Sequence, residues 1–359
     1  YRATRTHQTP ADRMIDPDYL EDRLLKLLLT PSPVGMTDQA VTLVDGWLRE
    51  LGLEPRYTRR GVLYVELGEG APRRAVAAHL DTLGAMVTEL KDNGRLSLRN
   101  TGTWAARFAE GARVTVFSDA TTHRGTILPL KAAGHRFNTD VDTQPADWDN
   151  LEVRVDAELH TREDLVAAGF NVGDMVAVDA QPERVGGFVV SRHLDDKAGC
   201  AVILAALKSI VEGGQAPAVP CQVMFTIAEE IGIGGTHGFG PEIEELVAID
   251  NAVTAPNQAS RDDAATIAMR DRQGPFDAAV TRHLLSLCQQ HDIPYVRDTF
   301  RHYRSDSAAA VEAGWDLRVG LACFSLDSSH GWERTHEKSL LALARLVVAY
   351  LQSPLAVKR

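Results

Sequence analysis

Acidic residues and histidines recur at the ends of apolar runs in this chain. His79 and Asp81 follow RRAVAA, Glu229 and Glu230 follow VMFTIA, Asp250 follows LVAI, and His330 comes shortly after VGLACFSL. Asp195 and Asp196 come just after GGFVV, at the mouth of the apolar run that begins at Ala198. Two divalent cations held about 3.5–4 Å apart need one carboxylate that touches both, nitrogen and oxygen ligands on each side, and a shared water. This inventory supplies those residue types. Asp196 is expected to satisfy free amides at the start of a helix, which leaves Asp195 to bridge. Neighbours near a strand end point in different directions, so one glutamate can bind metal while the other faces the water. Glu229 is assigned as general base and Glu230 as ligand, since a water at zinc has its pKa lowered to about 7.

Taken singly, each feature also has a plainer reading. His79 suits a satisfied core histidine, Asp81 a turn and Asp250 a loop start. Adjacent glutamates are usually solvated, but these two follow a strongly apolar strand and precede a glycine-rich turn. His193, His237 and His302 read as surface or packing residues. The glycines of GIGGTHGFG match neither a Walker loop nor a dinucleotide fingerprint, which disfavours phosphate binding.

The elements that must position these residues alternate. Asp16 and Pro17 open a helix in which Leu20, Leu24, Leu27 and Leu28 recur until Pro31 and Pro33 stop it. A second helix is predicted over 39–51, with strands over 62–67 and 74–78. From about Gly84 to Gly187 short β-like pieces (RVTVF, RGTILPL, LEVRVDA, DMVAVDA, GGFVV) are separated by turn residues, with one helix over 161–168. Helix and strand then alternate again: helices over 198–211, 278–290 and 340–351, and strands over 221–227, 246–249 and 319–324. Alternating elements on both sides of a β-rich stretch imply a doubly wound α/β core, residues 1–83 and 188–359, interrupted by an inserted β-rich domain, 84–187. In such sheets ligands bind outside the carboxyl ends of the strands, where the acidic residues fall.

Composition narrows the partners. With 44% hydrophobic and 24% charged residues, the chain has the make-up of a globular protein. A net charge of −11 argues against a nucleic-acid binder. Cys200, Cys221, Cys288 and Cys323 lack CxxC spacing and read as buried thiols. No apolar run reaches the roughly 18 residues of a membrane span, and YRATRTHQTPADR lacks the order of a secretory signal, so a reducing cytoplasm is expected.

AHLDTLGAMV, HLDDKAGCAV, TIAEEIGIGG, VAID and the distance from Gly320 to His330 together resemble the tetrahedral, or glutamyl, aminopeptidase family of cytoplasmic metallopeptidases. The likeness spans nearly the whole chain, including FNVGDMVAVD before the bridging aspartate. It implies a phosphorylase/hydrolase-like mixed sheet with an inserted small β-barrel domain, and removal of amino-terminal residues from peptides. It further implies that His79, Asp195 and Asp250 hold one ion while Asp195, Glu230 and His330 hold the other, the metal being zinc, with cobalt and manganese as alternatives. Glu229 would be the base. Asp81 would accept the remaining ring N–H of His79, and Asp306 would touch the peptide amine.

Two departures stand out. The family's last histidine usually precedes a serine-proline pair, whereas SSHGWERTH leaves His336 competing with His330, and NAVTAPNQASRDD lacks the family's glycine-rich form after Asp250. Family members form dodecameric hollow particles through the inserted domain, so a homo-oligomer acting on short peptides is expected. A deacylase or carboxypeptidase on the related fold is the alternative. A glycosidase is less suited, because adjacent glutamates rarely present carboxyls about 5–9 Å apart across one bond.

Overall fold

Four parallel strands carry the centre of the molecule: Cys221–Thr226, Arg74–His79, Glu245–Thr254 and Arg318–Asp327, side by side in that order. These strands are buried on both faces, which is why they read as near-continuous apolar runs. The computed structural model describes residues 15–214 and 216–357; the opening stretch 1–13, read above for a secretory signal, lies outside them. Among the described residues the sheet has eleven strands. Leu63–Leu67 and Arg56–Tyr57 extend one edge, and Glu333–His336, Phe188–Ser191 and Glu183–Val185 extend the other. Ala265–Arg270 branches from Arg318–Asp327 and pairs in parallel with Tyr295–Thr299.

Alternation along each strand divides the core in two. Val76, Ala78, Val247 and Ile249 face helices Pro17–Leu29, Leu194–Gly213 and Glu337–Leu351, while Ala75, Ala77 and Leu246 face Phe239, Ile243 and Ala310. The second face carries the short helix Asp306–Glu312. Helices on both sides of a mixed sheet give the doubly wound architecture that alternation implied.

Between Gly84 and Val178, six strands close a barrel in the order Gly84–Leu90, Arg95–Thr101, Leu151–Val155, Thr122–Pro129, Arg113–Phe117, Met175–Val178. Its interior is its own apolar core, built around Val87, Leu96, Val114, Ile127, Val153 and Phe170. Helix Arg162–Ala167 starts at a capping box in which Thr161 and Asp164 satisfy each other's backbone amides. GGFVV, grouped by texture with the β-rich pieces, belongs instead to the large sheet: Phe188–Ser191 pairs with Glu333–His336.

No helix of the described residues is long and apolar enough to cross a membrane. All four cysteines are buried, unpaired thiols.

Candidate metal centre

Adjacent parallel strands in register bring their last residues to one edge, and that geometry assembles the site. Thr226 pairs with His79, so Glu229 and Glu230, three and four residues beyond Thr226, leave the sheet beside it. Asp250 sits within the neighbouring strand Glu245–Thr254. Asp195 arrives from the sheet's far edge, where the chain turns from Phe188–Ser191 into helix Leu194–Gly213.

One ligand atom from each of His79, Asp195 and Asp250 lies within 4.8 Å of the others, and so does one from each of Asp195, Glu230 and His330. Asp195 belongs to both groups. Its Oδ1 lies 3.1 Å from His79 Nε2 and its Oδ2 3.2 Å from His330 Nε2, so each carboxylate oxygen faces a different imidazole. His330 Nε2 is 3.6 Å from Glu230 Oε2, and His79 Nε2 is 3.8 Å from Glu229 Oε2.

Both histidines use their second ring nitrogen on a backbone carbonyl. His79 Nδ1 donates to the Asp81 carbonyl at 2.9 Å, and His330 Nδ1 to the Thr103 carbonyl at 2.8 Å. Each bond fixes the tautomer and frees Nε2 to bind metal. Thr103 lies in the loop after barrel strand Arg95–Thr101, so the inserted barrel orients one histidine of a site built otherwise from the large sheet. The same loop passes close to Glu230. A Cβ added to Gly102, whose φ is +81°, would meet Glu230 Cβ at 3.3 Å and Leu83 at 2.6 Å.

Three expectations are corrected by this geometry. The Asp81 carboxylate is 3.6 Å from His79 Nδ1; the ring N–H goes to its carbonyl, while its oxygens accept the amides of Glu229 and Glu230, each at 3.1 Å. Asp81 thus fixes the turn carrying both glutamates. Asp306 does not face the cavity: its carboxylate accepts the Thr226 hydroxyl and the Gly235 amide, each at 2.6 Å. Gly234 and Gly235 leave room for that contact, since a Cβ at Gly234 would strike Asp306 Oδ1 at 2.4 Å and one at Gly235 the Asp306 carbonyl oxygen at 2.2 Å. Asp196, expected as a helix cap, instead accepts the His79 backbone amide at 3.1 Å. A Cβ at Gly199 would lie 2.1 Å from Asp196 Oδ1. Gly199→Ala is therefore expected to cost about 1–3 kcal/mol through overpacking, read as a lowered midpoint in thermal unfolding.

His336 is placed away from the centre, in strand register opposite Phe188, its ring 4.6 Å from the Phe188 ring and its Nδ1 accepting the Lys338 amide. Of the two competing histidines, His330 is the one brought to Asp195.

Glu333 escaped the reading of the sequence. Its two oxygens accept the backbone amides of Asp195 at 3.2 Å and His330 at 2.8 Å, tying together two members of the second group. Asn251 Nδ2 likewise donates to Asp195 Oδ2 at 2.8 Å and to Asp250 Oδ1 at 3.1 Å. Glu333→Gln replaces one accepting oxygen by a donor facing an amide. It is expected to weaken metal binding by about 10-fold or more, measured by competition with a chelating dye; unchanged affinity would mean that the two amides are held without it.

Charge in this pocket is unbalanced within the protein. Burial lifts Glu229 well above its ordinary value, Glu230 to about 8 and Asp250 to about 7. Burial alone would depress His330, but the Asp195 hydrogen bond and the Glu230 charge raise it to about 10. Burial would likewise raise Asp195, yet the hydrogen bonds from His330 and His79 outweigh it and hold this carboxyl well below its usual range. Glu230 Oε1 is buried with no hydrogen-bond partner. Carboxylates buried together call for cations, and the mixed imidazole and carboxylate donors suit first-row divalent metals.

A cavity of about 940 Å³ opens on the centre between the large sheet and the barrel, lined by Glu229, Asp250 and His330 of the centre and by Asn100 and Thr103 from the barrel side. Fold and site are those of a metal-dependent hydrolase. The M42 glutamyl aminopeptidase family matches residues 61–346. A Bacillus subtilis protein named as an aminopeptidase, YhfE, is 34% identical over 92% of this chain and 96% of its own length. The glutamyl aminopeptidase of Lactococcus lactis is 28% identical over 54% of this chain and 56% of its own. The Pyrococcus horikoshii TET1 peptidase, which assembles into a tetrahedron or a large octahedral shell, shares the fold, with a TM-score of 0.83 at 20% identity over 92% of this chain and 99% of that one. The chain belongs to the M42 glutamyl aminopeptidase family, whose members are metal-dependent aminopeptidases, and it is a hydrolase of peptide bonds.

Proposed function

We propose that this enzyme removes amino-terminal residues from peptides with two divalent ions, zinc in the first instance and cobalt or manganese as alternatives, bridged by Asp195. The observation that carries this is the sharing of one carboxylate between two imidazole nitrogens, 3.1 and 3.2 Å from its separate oxygens. His79 and Asp250 would complete one ligand set, Glu230 and His330 the other. Such ions, when bound, polarise a carbonyl and acidify water. Glu229 faces the cavity beside His79 without belonging to either ligand set, which suits a general base. It would take the proton of the attacking water and pass it to the leaving amine. Asp81, by holding the amides of Glu229 and Glu230, would keep the base and the ligand divergent.

We also read residues 84–187 as an inserted domain and the assembly as a homo-oligomer, a dodecamer by likeness to the P. horikoshii TET1 peptidase, whose structure has also been solved as a dodecamer. Val166 and Val172, 61% and 66% exposed on the barrel side, supply apolar surface for such contacts. Turnover of amino-acid p-nitroanilides that is lost with chelator and restored by zinc, cobalt or manganese tests the reading. Cleavage from the carboxyl end of peptides, or of acylated amines alone, would favour the related carboxypeptidase or deacylase chemistry.

A further inference from the structure

The two imidazoles of the centre are held by different parts of the molecule. The carbonyl that orients His79 belongs to Asp81, two residues along its own strand end, whereas the one that orients His330 belongs to Thr103, 227 positions away in the barrel. His330 depends on that outside support. It sits in the turn closed by the Gly331 amide on the Ser328 carbonyl, with a left-handed φ of 64° that few residues other than glycine adopt. Its side chain is 30% exposed against 2% for His79, so packing alone does not fix its ring.

The Thr103 carbonyl is fixed in turn by an aromatic pair inside the barrel. Trp104, the next residue, donates its Nε1–H to the Gly84 carbonyl at 3.2 Å, and Trp148 donates its own to the Trp104 carbonyl at 3.3 Å. Both side chains are buried, and their rings meet edge to face with 4.8 Å between centroids. Asn100 Nδ2 donates to the Gly102 carbonyl at 2.6 Å, so residues 102–104 are held from both sides. Phe108, from the same stretch, closes on the histidine's turn: a Cβ at Gly331 would meet its ring at 3.2 Å. The space that Trp104 and Leu83 share with Asp195, His330 and Glu333 is about 10 Å³, at the limit for a single water, which leaves the loop little room to shift. Resting on the two-ion reading above, we propose that Trp104 and Trp148 are positioning residues for one ion only. By fixing the Thr103 carbonyl they aim His330 Nε2, so the barrel sets the affinity of the ion held by Glu230 and His330. The ion held by His79 and Asp250 answers to the large sheet alone.

Trp104→Phe and Trp148→Phe each keep an apolar ring and delete one indole donor. Zinc affinity is measured by competition with a chelating dye in two backgrounds, Asp250→Asn, which spares the Glu230 and His330 set, and Glu230→Gln, which spares the His79 and Asp250 set. In the first background each tryptophan substitution is expected to weaken zinc by about 3- to 10-fold, the worth of one hydrogen bond, and the two together by about 10- to 100-fold, the range for a partner that orients a metal-binding histidine. In the second background affinity is expected to stay at its starting value. Should either tryptophan variant fail to fold, Asn100→Ala, which frees the Gly102 carbonyl without opening the barrel core, is expected to reproduce the split at about 3- to 10-fold. A general loosening of the fold would weaken zinc alike in both backgrounds; that result, or weakening in neither background or in the second alone, would overturn this inference and leave the two-ion reading standing. Binding of fewer than two zinc ions by the otherwise unaltered chain would overturn both.

Discussion

Replacing Glu229 by glutamine is expected to lower kcat on amino-acid p-nitroanilides by about 10²–10⁴-fold, the usual contribution of a positioned general base. Glu229 belongs to neither group of potential ligands, so metal content and substrate KM are expected to change little. The amide keeps the shape of the side chain and the hydrogen bond from the Glu229 backbone to Asp81. What it loses is a site for the water's proton. Activity equal to wild type would remove Glu229 from the mechanism. A loss of activity accompanied by loss of metal would make it a ligand, reversing its role with Glu230.

Chelation is expected to have the second large effect, on stability as well as turnover. Ions bound to the folded chain alone stabilise it by about 3–4 kcal/mol when free metal is 100 to 1,000 times Kd. Stripping them also exposes a pH dependence whose sign follows from the pocket. Burial raises Glu230 to about 8, Asp250 to about 7 and Glu333 to about 8, all above the values of about 4 that carboxyls have in an unfolded chain. The metal-free folded protein therefore holds protons that the unfolded chain releases. The contribution of these carboxyls is full below about pH 4 and falls as pH climbs toward about 8, because at these groups the unfolded state binds fewer protons throughout that interval. Asp195, depressed by its two histidines, works in the opposite direction and only in acid. Denaturation midpoints of the chelated protein across pH 5–8 are expected to decline and those of the reloaded protein to stay nearly level. A metal-free midpoint that rose with pH would contradict the buried, uncompensated carboxylates.

Parallel strands buried on both faces write themselves into a sequence as apolar runs, and the residue that ends such a run is held at the ligand-binding edge. That is why His79, Glu229, Glu230 and Asp250 could be picked out by position. Contacts made by backbone groups left no such trace. The carbonyls of Asp81 and Thr103 orient the two histidines, and nothing about a threonine at position 103 announces it. Glu333 sits on ERTH, a strand too short and polar to be recognised by alternation, and its partners Asp195 and His330 are backbone amides. His330 lies in the turn before strand Glu333–His336, with a left-handed φ of 64°, whereas His336 is the last residue of that strand. The pairing of Phe188 with His336 settles which one turns toward Asp195, and sheet pairing across about 150 positions is not a local property of either segment. Asp306 was misjudged for a related reason: its carboxylate is consumed by Thr226 and Gly235, contacts that exist only once a distant glycine turn packs on helix Asp306–Glu312.

Anomalous scattering from crystals of the zinc-loaded enzyme, recorded on both sides of the zinc absorption edge, tests the account most directly. Two peaks about 3.5–4 Å apart are predicted, one bounded by His79 and Asp250, the other by Glu230 and His330, with an oxygen of Asp195 on each. A single peak, or peaks that leave Asp195 without metal, would contradict it.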